Sequence, residues 1–93
     1  MEVKNQNDGK RGSFFIEEND KRVGEMHYIF AGPEKMVIDH TEVDEVYKGK
    51  GLGRMLVKKG VEYAREHHLK ILPLCPFAKK IFDITPAFAD VLF

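Results

Sequence analysis

Two stretches in the first half of the chain alternate between apolar and polar positions. From Arg22 to Phe30, Gly24, Met26, Tyr28 and Phe30 fall on one side of a strand, and Glu25, His27 and Ile29 on the other. That is the period of two expected of a half-buried sheet. From Lys35 to Val46 the same period puts Met36, Ile38 and His40 on one face and Val37, Asp39, Thr41 and Val43 on the opposite one. Phe14, Phe15 and Ile16, within Gly12 to Glu18, predict a shorter strand ahead of both. Asn19-Asp20-Lys21 supplies a turn, because Asn and Asp tolerate left-handed backbone and bond locally. Ala31-Gly32-Pro33-Glu34 ends the second run, since proline donates no ladder bond. Three strands with short turns form an antiparallel meander. Residues 1–11 are polar, contain Gly9 and read as a flexible lead-in.

The period changes in the second half. Leu52, Met55, Leu56, Gly60, Tyr63 and Ala64 recur at helical spacing within Met55 to His68 and the residues just before it, which predicts an amphipathic helix. Leu69 to Cys75 is a short, nearly continuous apolar run, as in a strand covered on both faces. Pro73 inside it implies an edge position or a bulge. Phe77 to Asp83 reads as a second helix with Phe77, Ile81 and Ile84 inward. Thr85-Pro86 then starts a final helical turn. The order is β-β-β-α-β-α, an α+β fold with a mixed sheet in one domain, residues 1–93. No repeat or linker marks a second domain.

Composition narrows the setting. A chain of 93 residues with 15 basic and 15 acidic side chains has no net charge. That speaks against a general nucleic-acid binder, which carries a basic surplus. No apolar run is long enough to span a membrane, and the first residues hold no apolar signal core. The single cysteine, Cys75, cannot pair within the chain. These features point to a reducing, cytoplasmic location and no membrane partner. A domain this small acts as a monomer or weak homodimer, with little room for a deep enclosed site.

The candidate chemistry sits between the third strand and the first helix. Tyr47-Lys48-Gly49-Lys50-Gly51-Leu52-Gly53-Arg54 has glycine at every second position of its centre and three cations around them. Glycine lets backbone N–H groups converge and a ligand come close. A helix start adds unpaired N–H groups and a partial positive charge. Together they make a phosphate site. The alternative is a tight turn with solvated lysines. A Walker loop is excluded, because no Gly-Lys is followed by Ser or Thr. The dinucleotide fingerprint fails as well, because Arg54 and Leu56 stand where its last glycine belongs.

Lys48-Gly49-Lys50-Gly51-Leu52-Gly53 resembles the Q/R-x-x-G-x-G/A signature of the GNAT superfamily of acyl-CoA-dependent N-acetyltransferases, with Lys48 in place of Gln or Arg. Ile38 to Val43 and Leu74-Cys75-Pro76-Phe77-Ala78 are similar to the very small GNAT-like proteins of about this length. The resemblance covers roughly residues 12–93 and implies a minimal GNAT fold. It also implies that acetyl-CoA or coenzyme A binds at Val43, Val46, Lys48, Gly49, Lys50, Gly51, Leu52, Gly53 and Arg54. The preceding strand, through Val43 to Val46, would pair with the pantetheine arm while the loop amides hold the pyrophosphate. Typical members carry an extra helical pair after the first strand that walls the acceptor site. Here Glu18 runs through a turn straight into Arg22.

Few side chains are candidates for catalysis, because coenzyme A supplies the activated acyl group. His40 lies on the third strand and can act as base or proton shuttle, or be a satisfied core histidine. Cys75, near the end of the fourth strand, can lie beside the thioester, accept the acyl group as a thiolate, or pack as a small hydrophobe. His67 and His68 point about 100° apart on a helix and cannot share an ion. No Cys/His pair has zinc spacing, so no metal is expected. Tyr63 belongs to the apolar stripe. The segment after the fourth strand, where GNAT members often carry an acidic tyrosine, holds Phe77 and Phe82 instead. These readings give an N-acetyltransferase acting on an unidentified amine by direct attack. The alternatives are a coenzyme A-binding module with little transfer activity and an interaction domain.

Overall fold

The computed structural model describes residues 1–93 as one five-stranded mixed sheet with helices packed on one of its faces. The strands are β1 (Val3–Asn7), β2 (Arg11–Glu18), β3 (Lys21–Phe30), β4 (Lys35–Val43) and β5 (Lys70–Pro73), in spatial order β1-β2-β3-β4-β5. The helices are α1 (Leu52–His67) and α2 (Pro76–Asp83), with 3-10 turns at Glu45–Tyr47 and Pro86–Val91. β1 to β4 are antiparallel neighbours, and β5 joins β4 in parallel after the α1 crossover. The meander, glycine loop and central helix therefore appear in the expected order.

Residues 1–11 are a correction. They hold an additional edge strand, β1, paired with β2 from Val3↔Ile16 to Asn7↔Gly12. Apart from the half-buried Val3, its side chains are polar and exposed, so hydropathy gives no strand signal, yet the backbone ladder forms. Gly9, with φ +89°, belongs to a hairpin turn in which the Asp8 carboxylate accepts from the Lys10 and Arg11 amides at 2.9 Å each. The next hairpin turn is as predicted, with Asn19 and Asp20 left-handed at φ +53° and +63°.

β4 departs from simple alternation. His27 pairs with His40, whereas Tyr28 pairs with Ile38, so Asp39 is an extra residue, a β-bulge. Met36 and Ile38 are buried in the core, but beyond the bulge the inward residues are Thr41, opposite Met26, and Val43, opposite Gly24. His40 therefore turns away from the apolar face where strict alternation put it. β4 also ends at Val43 rather than Val46. Asp44 caps the following 3-10 turn by accepting from the Val46 amide at 3.2 Å.

α1 buries Leu52, Leu56, Val57, Gly60, Val61 and Ala64 against the sheet, α2 and the C-terminal turn. α2 buries Ala78, Ile81 and Phe82. The expected inward stripe was Phe77, Ile81 and Ile84, but Ile84 is exposed and Phe77 only partly covered. β5 is a sheet edge, as Pro73 implied. It is covered on one face rather than both, so Ile71 is buried and Leu72 half-buried, and Leu74, just past the strand, is exposed. The opposite face of the sheet is bare apart from local cover, such as the Arg22 guanidinium 3.8 Å from the centre of the Phe15 ring. No helix is long and apolar enough to cross a membrane.

Candidate functional site

β4 and β5 part company at the bulge. Their paired residues run from Lys35↔Lys70 to Ile38↔Pro73 and stop there. The Leu74 and Cys75 amides both donate to the Ile38 carbonyl, at 2.9 and 3.1 Å, and the chain then turns away into α2. From Asp39 to Val43, β4 thus has β3 on one edge and no strand on the other. That leaves backbone groups able to pair with an extended ligand.

A groove of ≈ 670 Å³ lies along this free edge. Thr41, Glu42 and Val43 form one side. Tyr47, Lys48, Gly49 and Gly51 close one end, the first turn of α1 (Leu52, Gly53, Arg54) forms the floor, and Phe77 and Ile81 of α2 complete it. Gly49 and Gly51 both have φ +81°, a left-handed conformation that side chains resist. Gly51 is the N-cap of α1 and offers no side-chain cap. The first amide of the helix to find a backbone partner is Met55, which donates to the Gly51 carbonyl at 3.1 Å. The amides ahead of it and the helix dipole face the groove end as an anion-binding element.

The cations around this end are partly engaged. Lys48 Nζ lies 2.9 Å from Glu45 Oε2, and Arg54 Nη2 donates to Thr85 Oγ1 at 3.1 Å. Both pairs are exposed, so they hold the side chains only loosely. Lys50 turns out of the groove, its ammonium 5.7 Å from the centre of the Tyr47 ring. Val46 is also outside, 75% exposed on the 3-10 turn. Of the loop and strand residues named from the sequence, Val43, Lys48, Gly49, Gly51, Leu52, Gly53 and Arg54 come together, and Val46 and Lys50 do not.

Cys75 is the N-cap of α2 and is buried where β4 and β5 diverge. Burial pushes its thiol up. The Thr41 hydroxyl and the Ala78 and Phe77 amides outweigh that effect, so the thiol sits below its ordinary value. The Thr41 hydroxyl oxygen is itself buried and makes no hydrogen bond of ordinary geometry. His40 lies on the bare face of the sheet. Its Nε2 is 3.3 Å from Glu42 Oε2, and its ring is 5.8 Å from that of His27. His27 in turn bonds Glu25 at 3.1 Å and, with Arg22, holds that carboxyl below its ordinary range. The structure does not bring His40 and Cys75 together as side chains of one groove. Thr41, Tyr47, Phe77 and Ile81 also line the groove; the first three lie in segments that the sequence singles out, but none of the four is among the residues it assigns to the site. Only the bulge, which cannot be read from hydropathy, turns Thr41 inward.

A model of the GCN5-related N-acetyl-transferase family matches residues 13–91. The chain belongs to the GCN5-related N-acetyltransferase family. The match takes in all the strands but β1, together with the glycine loop and both helices. Among its relatives is Protein NATD1 of Danio rerio, 31% identical over 84 residues, covering 87% of this chain and 74% of the relative. NATD1 of Homo sapiens is 26% identical, covering 90% and 75%. A GCN5-like protein of Staphylococcus aureus, solved by NMR, superposes with a TM-score of 0.78 at 34% identity, over 99% of this chain and 87% of that one. Tetrahymena GCN5, at 20% identity and a TM-score of 0.68, shares the fold over 82% of this chain and 50% of its own. In this family member the groove lies between the free edge of β4 and the glycine loop, on the helical side of the sheet. The other side of the sheet carries no helices.

Proposed function

We propose that the groove binds acetyl-CoA and that the protein transfers the acetyl group to an amine by direct attack. The observation that carries this reading is the alignment, in one groove, of a free strand edge with the glycine turn that opens α1. The residues present fit the cofactor. Gly49, Gly51 and the first-turn amides of α1, with Lys48 and Arg54 beside them, suit a pyrophosphate. The edge of β4 from Thr41 to Val43 suits an amide-containing arm, and Phe77 and Ile81 offer it an apolar wall. When bound, the cofactor supplies an activated thioester carbonyl. The chain's own part is to bind, orient and shelter that group near Thr41 and Cys75. Cys75 stands beside the reacting end and is not acylated in this reading. His40, on the opposite face with Glu42, is a route for the amine's proton only if the acceptor approaches from the bare side.

Calorimetric titration with acetyl-CoA tests the reading directly. The wild type binds, and a folded Gly51→Val protein, whose left-handed cap costs about 1–2 kcal/mol to retain with a side chain, loses most affinity. Affinity also falls as salt rises, because exposed charges are screened over about 10 Å at 0.1 M. Equal affinity of wild type and Gly51→Val, with salt having no effect, would overturn the assignment. A second reading has its own observation in the bare sheet face, which gives an acceptor no walls. On that reading the protein is a coenzyme A-binding module with little transfer. Release of free coenzyme A in the presence of a panel of primary amines decides between the two. Intact mass after incubation with acetyl-CoA alone shows no acetyl adduct at Cys75 if attack is direct.

A further inference from the structure

The three glycines of the loop differ in what they require. Gly49 and Gly51 are left-handed, with open space where a Cβ would stand. Gly53 lies inside α1, and its Cβ direction is filled: a side chain there would overlap the far end of the Phe77 ring. Phe77 is the second residue of α2. Its amide faces the Cys75 thiol, while its ring rests on the first turn of α1 and lines the groove, 37% exposed. It thus links the glycine end of the groove to the buried Cys75 where β4 and β5 diverge. It is also large, apolar and open to solvent on the groove side, whereas Ile81 and Phe82 of the same helix are buried.

From these contacts we infer that Phe77 is a positioning residue for the coenzyme A arm, and that Gly53 is glycine in order to seat the Phe77 ring rather than to admit phosphate. The ring on Gly53 sets the width of the groove where the arm passes from pyrophosphate toward thioester. A Cβ at position 53 meets the end of a side chain that can rotate, so the response is displacement of the ring, not unfolding. The space open to the displaced ring is the groove itself. The inference rests on the cofactor reading above, and its test keeps the two apart.

Coenzyme A and its fragment adenosine 3′,5′-bisphosphate are titrated into wild type, Gly53→Ala, Phe77→Ala and the double variant, with thermal unfolding recorded for each. Gly53→Ala weakens coenzyme A binding by about tenfold, the scale of an overpacked site. Phe77→Ala weakens coenzyme A by about fivefold, as loss of an apolar wall implies, and leaves the fragment unchanged. The double variant binds coenzyme A no more weakly than Phe77→Ala, because the ring that the added methyl displaces is gone. Losses that add in the double variant, Gly53→Ala affinity equal to wild type, or a fragment weakened as much as coenzyme A by Phe77→Ala would each overturn the inference. If Gly53→Ala does not fold, the contrast between coenzyme A and the fragment in Phe77→Ala still decides. A wild type that binds neither ligand overturns the cofactor reading, a different result from any of these.

Discussion

Up to Ile38, β4 is held on both edges, by β3 and by β5, and its inward side chains Met36 and Ile38 are wholly buried. From Asp39 to Val43 it keeps β3, loses β5 and carries an inserted residue that shifts its phase. The two halves share extended backbone but not composition, Met36-Val37-Ile38 being apolar and Asp39-His40-Thr41-Glu42 polar, and they do different work. In the first, every backbone group is spent on the sheet and every inward side chain on the core, so it contributes stability. In the second, one edge is left unpaired beside a glycine turn, and the inward position at Thr41 faces a thiol rather than packed hydrocarbon. A single extra residue separates a structural strand from a binding edge.

Substitutions in the two halves sharpen that contrast. The largest effect on stability is expected at Ile38, fully buried in the paired half. Ile38→Ala lowers unfolding free energy by about 2–4 kcal/mol in a urea titration, and a loss below 1 kcal/mol would dissolve the distinction. Deleting Asp39 comes next and acts on the site. The faces of His40, Thr41 and Val43 are kept when the bulge is removed, so the protein folds with a loss of about 1–2 kcal/mol. Coenzyme A binding nonetheless falls at least tenfold, since a regular β4 follows β5 further and closes the split. Unchanged binding by the deletion variant would show that the bulge does not make the groove.

Thr41→Val in the free half has a smaller effect on stability and a directional one on Cys75. The hydroxyl is buried and meets the Cys75 thiol only outside ordinary hydrogen-bond geometry, so its replacement by a methyl group leaves stability within about 1 kcal/mol, or raises it. That hydroxyl also helps hold the thiol low, so the substitution raises the thiol's pKa. A raised pKa means less thiolate at any pH below it. The pH midpoint of iodoacetamide alkylation, read by mass spectrometry, therefore moves upward and the rate at neutral pH drops. A midpoint that stays in place would remove Thr41 from the thiol's environment. The smallest effect belongs to His40, on the bare face. His40→Ala changes stability by less than about 0.5 kcal/mol and leaves coenzyme A affinity as in wild type. A matching loss of affinity would mean that the bare face and the groove are one site.

Much of the fold and the loop was legible. Alternation marked β3 and the first half of β4, the 3.6-residue period marked α1, and Asn19-Asp20 marked a left-handed hairpin turn. The glycine spacing before α1 marked the end of the groove. β1 was not legible because Val3 to Asn7 is held by backbone bonds to β2, which leave no hydropathy pattern. By local periodicity alone α2 is an amphipathic helix with Phe77 on its core side. Its ring instead lies on Gly53, 24 positions earlier in the chain, a contact that no local period encodes.

Local rules depend on near neighbours along the chain: side-chain alternation, helical spacing, the backbone freedom of glycine, the charge of Lys48 and Arg54. These settled by themselves that there would be strands, a central helix and a glycine-rich, cationic turn between them. Tertiary structure alone decided which way His40 faces, that Thr41 meets Cys75, that Lys50 and Val46 turn out of the groove, and which glycine serves backbone and which serves a ring. The reason is physical. A bulge costs one strand little and is chosen by what the partner strands on either side require. Where β4 leaves β5, that requirement comes from segments more than 30 residues apart in sequence.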